Sequence, residues 1–127
     1  MLYMILSFMH ATNFIITGYV NILMKDSNFR KLIGKWKYNP PWDDFDDCRS
    51  EYEISGSAEK PMVKAIDFYD SEEFIVSNIS WNSQVLEFES FMKSTGRKGI
   101  NKFILGDDGL ITNEFTFTES GKLTKIK

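Results

Sequence analysis

The sequence has only one histidine and one cysteine among its 127 residues, and this scarcity excludes several kinds of site. His10 lies near the N-terminus, so the rest of the chain has no imidazole for a catalytic triad, general-base catalysis or a haem ligand. Cys48 alone cannot form an intrachain disulfide or a cysteine-rich zinc site. We therefore expect no catalytic residue of these types, no metal and no cofactor.

Charged side chains are absent from residues 1–24, and the whole chain has a net charge of −3. A general nucleic-acid-binding protein uses Lys and Arg to neutralise phosphates, so we expect no nucleic-acid partner. The composition is 43% hydrophobic and 15% aromatic, which is enough apolar material to build a folded core.

The uncharged segment divides the chain into an apolar leader, residues 1–24, and a domain, residues 25–127. The leader is long enough to be a membrane anchor, in which case the basic residues after it would keep the domain on the cytoplasmic side. A signal peptide is less favoured because no basic residue precedes Lys25. Alternatively, translation starts at Met24 and the domain is cytoplasmic. A membrane is thus expected as a partner only if the leader belongs to the protein.

The domain pattern predicts a short helix followed by strands. Residues 26–28 can cap a helix in which Phe29, Leu32 and Ile33 form an apolar face, and Gly34 is expected to end it. Alternating side chains separated by short turn sequences then predict eight strands. Their approximate ranges are 33–38, 48–55, 62–69, 73–81, 84–92, 99–105, 110–118 and 122–126. Short connections make successive strands antiparallel neighbours, and closing this meander gives an all-β, eight-stranded up-and-down barrel.

The helix, the Gly34-Lys35-Trp36 triplet and the meander together resemble the lipocalin and calycin group, in which a G-x-W motif follows a short helix and begins the barrel. Three further segments, 67–73, 91–99 and 113–119, are similar to small lipocalin-like bacterial proteins of unassigned function. The resemblance implies a barrel that binds a small ligand. It departs at the C-terminus, where lysines stand in place of the Arg that lipocalins pack against the motif Trp.

Aromatic residues fall mainly at inward positions, where they either fill a barrel or line an apolar cavity. The leading hypothesis is a non-enzymatic barrel that binds a small hydrophobic or amphipathic ligand, with Trp42 as a lid. The candidate ligand-binding residues are Trp36, Trp42, Tyr52, Trp81, Phe88, Phe103, Phe115 and Phe117.

Other features support alternative hypotheses. Trp42, beside the acidic run 43–47, is a candidate anchor for a protein partner. A less favoured alternative is an isomerase or hydrolase that pairs Glu51 or Glu53 with Glu87 or Glu89. A weak candidate anion site comprises Ser94, Thr95, Arg97 and Lys98.

Overall fold

The computed structural model describes residues 18–40 and 50–127. One helix, α1, covers residues 18–30 of the described chain, and seven strands follow it. The strands are β1 (Gly34–Lys37), β2 (Ser50–Gly56), β3 (Pro61–Asp67), β4 (Ile75–Trp81), β5 (Val85–Met92), β6 (Arg97–Leu105) and β7 (Ile111–Thr118).

The strands form two antiparallel sheets, with orders β1-β2-β3 and β4-β5-β6-β7. Strands that follow one another in the chain are antiparallel neighbours within each sheet. The predicted meander is therefore confirmed for β1 to β3 and for β4 to β7. The predicted eight-stranded barrel is not confirmed, because the two sheets do not close into one. They are joined on one side, where the Phe74 amide donates to the Ala65 carbonyl at 2.8 Å. On the other side, β1 and β7 are the outer strands of their sheets.

The predicted eighth strand over 122–126 is wrong, since residues 119–127 form no strand. The two large apolar side chains of this segment, Leu123 and Ile126, are 102% and 91% exposed. Alternate residues of a strand point to opposite faces. Because these side chains are three positions apart, a strand could bury only one of them on a given face.

The helix is longer than predicted. Residues 26–28 lie inside α1 and do not cap it, because capping residues are favoured at a helix start but are also tolerated in the interior. The predicted apolar face is confirmed for Phe29 and Leu32, which are 1% and 0% exposed, but not for Ile33, which is 48% exposed because the helix ends at residue 30. In the described residues, we find no helix that combines the length and apolarity needed to cross a membrane.

Two tryptophans fix α1 and the turn after it against the sheets. The Trp81 indole N–H donates to the Lys25 carbonyl at 3.0 Å, and the Trp36 indole N–H donates to the Leu32 carbonyl at 2.7 Å. Phe29 also packs edge-to-face on Trp81, with ring centroids 5.7 Å apart. The helix therefore covers one end of the space between the sheets.

Three aromatic rings form the centre of the core. Tyr52 of β2 contacts Phe88 and Phe103 of the other sheet edge-to-face, at centroid distances of 6.0 and 4.9 Å, and the two phenylalanines are 5.2 Å apart. Each pair has the perpendicular geometry that aromatic quadrupoles favour. The buried hydrophobic cluster as a whole comprises Phe29, Leu32, Tyr52, Ile54, Ala58, Ala65, Trp81, Leu86, Phe88, Phe103 and Leu105.

Candidate functional site

A largely apolar cavity of about 410 Å³ lies between the sheets, in the halves of the strands that point away from α1. Both sheets contribute to its wall, so it exists only when they are packed together. Its volume falls within the range of about 300–1,000 Å³ that is typical of small-molecule sites. The lining residues are Tyr38, Pro40, Ser50, Tyr52, Ala65, Phe74, Ser90, Arg97, Gly99, Asn101, Phe115 and Phe117.

Strand β6 supplies two polar side chains of this inter-sheet cavity, Arg97 and Asn101. Its alternate residues Arg97, Gly99 and Asn101 line the wall, because a strand turns every second residue to the same face. Asn101 is 5% exposed, and its amide nitrogen donates to the Ser90 hydroxyl at 3.0 Å. A Cβ on Gly99 would lie only 2.9 Å from that hydroxyl oxygen. Glycine therefore leaves room for the Ser90–Asn101 pair.

Aromatic side chains form the adjoining part of the wall, because Phe115 and Phe117 of β7 pair with Asn101 and Gly99 of β6. Tyr38 packs edge-to-face on Phe115 at 5.4 Å, and Phe115 lies roughly parallel to Phe117 at 6.5 Å. Phe115 and Phe117 are 44% and 51% exposed, so part of this aromatic surface is accessible to solvent. Such a surface is suited to the apolar part of a small molecule.

Arg97 places a positive charge at the end of the aromatic wall. Its guanidinium carbon lies 4.4 Å from the centroid of Phe117, in a cation–π contact. Its Nε donates to Oε1 of Glu119 at 2.8 Å, and one Nη contacts the same oxygen. The ion pair is exposed, with 44% of the Arg97 side chain and 53% of the Glu119 side chain accessible. Arg97 is thus held in place by two neighbours while it lines the cavity.

Tyr52 contributes a neutral phenol to the cavity wall. Burial raises its pKa above the usual value, while nearby Ser50 and Asn113 lower the pKa to a smaller extent. Asn113 lies close enough for this effect, but it does not reach hydrogen-bonding geometry. Both of its amide atoms are buried without a partner among the described residues.

The predicted ligand-binding aromatics occupy three different places. Tyr52, Phe115 and Phe117 line the inter-sheet cavity. Trp81 and Phe88 are 7% and 0% exposed and belong to the hydrophobic core, where Trp81 packs on Phe29 of α1.

The remaining aromatics of the predicted set lie elsewhere. Trp36 and Phe103 border a second groove, of about 500 Å³, between β1 and β7. Trp42 lies outside the described residues, and so does the acidic run 43–47 beside it.

The four residues of the predicted anion site are not gathered around one point. Ser94 donates from its amide and its hydroxyl to the Glu72 carboxylate, at 3.0 and 2.5 Å, so a carboxylate of the chain itself occupies that turn. The Thr95 hydroxyl accepts from the Arg97 amide at 3.3 Å. Lys98 borders a separate groove on the outer face of the sheet, whereas Arg97 lines the cavity.

The four glutamates considered for catalysis lie away from the inter-sheet cavity. Glu51 and Glu87 are half-buried, Glu53 and Glu89 are exposed, and Glu89 accepts from the Asn78 amide at 2.9 Å. Over residues 18–40 and 50–127, no group of three or more His, Cys, Asp or Glu side chains is placed to hold a metal ion.

Sequence reasoning missed most of the polar and small residues of the cavity. The alternation of β2 already placed Ser50 on the face of Tyr52, and the same alternation links Arg97, Gly99 and Asn101 to the inward Phe103. That signal was available. By contrast, Phe74 falls inside the predicted strand 73–81 but precedes β4 in the structure, so its place in the cavity wall follows from packing.

No protein-family model, curated protein or solved structure matches this chain. The resemblance to lipocalin-like proteins therefore stays a prediction, and the proposals below depend on the geometry of the chain itself.

Proposed function

We propose that this protein binds a small hydrophobic or amphipathic molecule in the inter-sheet cavity. The observation that carries the proposal is the combination of a largely apolar, partly open wall with a few polar side chains at defined positions. Apolar contacts with the aromatic wall supply most of the binding free energy, and the polar groups orient the ligand.

The cavity has about the volume of fourteen water molecules, taking about 30 Å³ for each. Because bonded atoms lie closer together than separate water molecules do, a ligand of roughly fifteen to twenty non-hydrogen atoms would fill it. Tyr52, Phe115 and Phe117 provide flat apolar surface, while Asn101 and Ser90 provide hydrogen-bonding groups. This arrangement favours a molecule with one extended apolar part.

We also propose a distant relationship to the lipocalin group. It is supported by the helix before β1, by the antiparallel meander and by Trp36 of the Gly34-Lys35-Trp36 triplet, which bonds to the turn after α1. The proposal concerns ancestry, since the two sheets do not form the closed eight-stranded barrel of that group.

The binding test uses N-phenyl-1-naphthylamine, a neutral apolar dye whose fluorescence rises in an apolar site. Ala65 is 1% exposed and lines the cavity, so Ala65→Leu fills part of the space that the dye needs. We expect wild-type protein to bind the dye and Ala65→Leu to bind it at least about tenfold more weakly.

Lys64→Leu is the matched control, because residue 64 adjoins residue 65 on β3 but is exposed on the opposite face. This variant should bind the dye like the wild type. Equal binding by all three proteins would place the dye elsewhere and contradict the proposed site. Circular dichroism and urea unfolding check that each variant is folded.

A further inference from the structure

We propose that the ligand carries a carboxylate, which Arg97 binds at the end of the aromatic wall. This inference rests on the proposed function and narrows its ligand class from amphipathic molecules to monoanionic ones. It stands on the position of one guanidinium group, the groups that hold it and the apolar surface next to it.

The position of Arg97 is determined by its contacts. Phe117 lies beneath the guanidinium, with 4.4 Å between the guanidinium carbon and the ring centroid, and Phe117 is itself part of the cavity wall. The charge therefore lies beside apolar surface that a ligand would cover. A ligand with its apolar part on Phe115 and Phe117 would bring its polar end to Arg97.

Glu119 leaves part of the guanidinium available. Both described contacts from Arg97 go to a single carboxylate oxygen of Glu119, through Nε and one Nη. A guanidinium has five N–H donors, so donors remain for a second carboxylate. A planar carboxylate matches the remaining fork of donors better than a tetrahedral group does.

The charge balance favours a monoanion. Glu119 offsets much of the charge of Arg97, so a dianionic phosphate would be repelled by Glu119 without a second cation to compensate. Lys98 does not provide one, because it borders the groove on the outer face of the sheet. An exposed ion pair such as Arg97–Glu119 contributes little to stability, so rearranging it for a ligand costs little.

The test compares decanoate with 1-decanol, which has the same chain length but no charge. Each competes with N-phenyl-1-naphthylamine at pH 7.5, and the measured quantity is the ratio of decanoate affinity to decanol affinity. In Arg97→Gln we expect this ratio to fall about tenfold, because the decanol affinity accounts for any change in the apolar wall. In Glu119→Gln we expect the ratio to rise about threefold, since a competing carboxylate is removed.

Lys98→Gln is the matched control, because it changes the net charge by the same amount at the neighbouring residue on the outer face. It should leave the ratio unchanged. A ratio that is the same in Arg97→Gln and wild type, with decanol still bound, overturns the carboxylate proposal and leaves the proposed function standing. If wild-type protein binds neither compound nor the dye, both proposals are overturned.

Discussion

At the scale of single residues, the amide of Asn113 is an unfavourable local feature. Its nitrogen and oxygen are buried without a hydrogen-bond partner among the described residues. Asn101 has the same side chain, but its nitrogen donates to Ser90. A buried polar group without a partner destabilises a protein, whereas a paired one does not. The two asparagines therefore provide a direct comparison.

We expect Asn113→Leu to raise the free energy of unfolding by about 1 kcal/mol, because it removes an unpaired buried amide. Asn101→Leu should lower the same free energy by about 1–2 kcal/mol, because it leaves the Ser90 hydroxyl without its partner. Urea unfolding at pH 7 measures both changes. A loss of stability in Asn113→Leu would show that the amide is satisfied in solution.

Tyr52 predicts a dependence of stability on alkaline pH. Its pKa is raised in the folded protein, chiefly by burial, above the usual value of 10.0. The unfolded chain then loses the phenolic proton first, so folding stability is fully present below about pH 10 and falls as the pH rises towards the folded pKa. Urea unfolding between pH 8 and pH 11 should show a shallower decline in Tyr52→Phe than in the wild type. Parallel declines would contradict this assignment.

At the scale of elements, β4 contains a local irregularity that its sequence explains. The pairing of β4 with β5 shifts register between Ser77 and Ser80, and Asn78 within this bulge has φ of 52°. Asparagine tolerates this left-handed conformation better than other residues with a Cβ, apart from aspartate. Its amide also donates to Glu89 on β5. The bulge is therefore tied to the neighbouring strand.

We expect Asn78→Val to lower the free energy of unfolding by about 1–2 kcal/mol, because a β-branched side chain is strained at positive φ. Asn78→Gly is the control, since it relieves the backbone while also losing the hydrogen bond to Glu89. Its stability should stay within about 0.5 kcal/mol of the wild type. Thermal and urea unfolding compare the two. Equal losses would assign the role of Asn78 to its hydrogen bond alone.

At the scale of the whole molecule, the sequence predicts the individual strands better than it predicts whether their sheets close into a barrel. The alternation of Tyr52 and Ile54 with exposed Glu53 identifies a half-buried strand without further information. Whether β1 approaches β7 depends on contacts between distant parts of the chain, such as Tyr38 with Phe115, which no local pattern contains.

For the same reason, the sequence pattern does not separate the inward aromatic residues into those of the core and those of the cavity wall. Strand alternation places Phe88 and Phe117 inward alike, but only packing decides that one is in the core and the other lines a cavity.

The cavity links ligand binding to folding, because its wall comes from both sheets. Tyr52 and Ala65 belong to one sheet, while Asn101 and Phe117 belong to the other, so the unfolded chain has no equivalent site. A ligand that binds only the folded state stabilises it by about 2.7 kcal/mol at a free concentration of about one hundred times its Kd. We expect N-phenyl-1-naphthylamine at that ratio to raise the free energy of unfolding of wild-type protein by this amount.

At the same dye concentration, binding that is at least about tenfold weaker lowers the expected stabilisation of Ala65→Leu to about 1.4 kcal/mol or less, whereas Lys64→Leu should show the full effect. Unfolding followed by circular dichroism measures the change without interference from dye fluorescence. Equal stabilisation of all three proteins would mean that the dye binds a surface outside the two sheets' shared cavity. Stabilisation that is at least about 1.3 kcal/mol smaller in Ala65→Leu than in the other two proteins would instead indicate a site between the sheets. Such a site is lost on unfolding and is partly blocked by one inward methyl-to-isobutyl change.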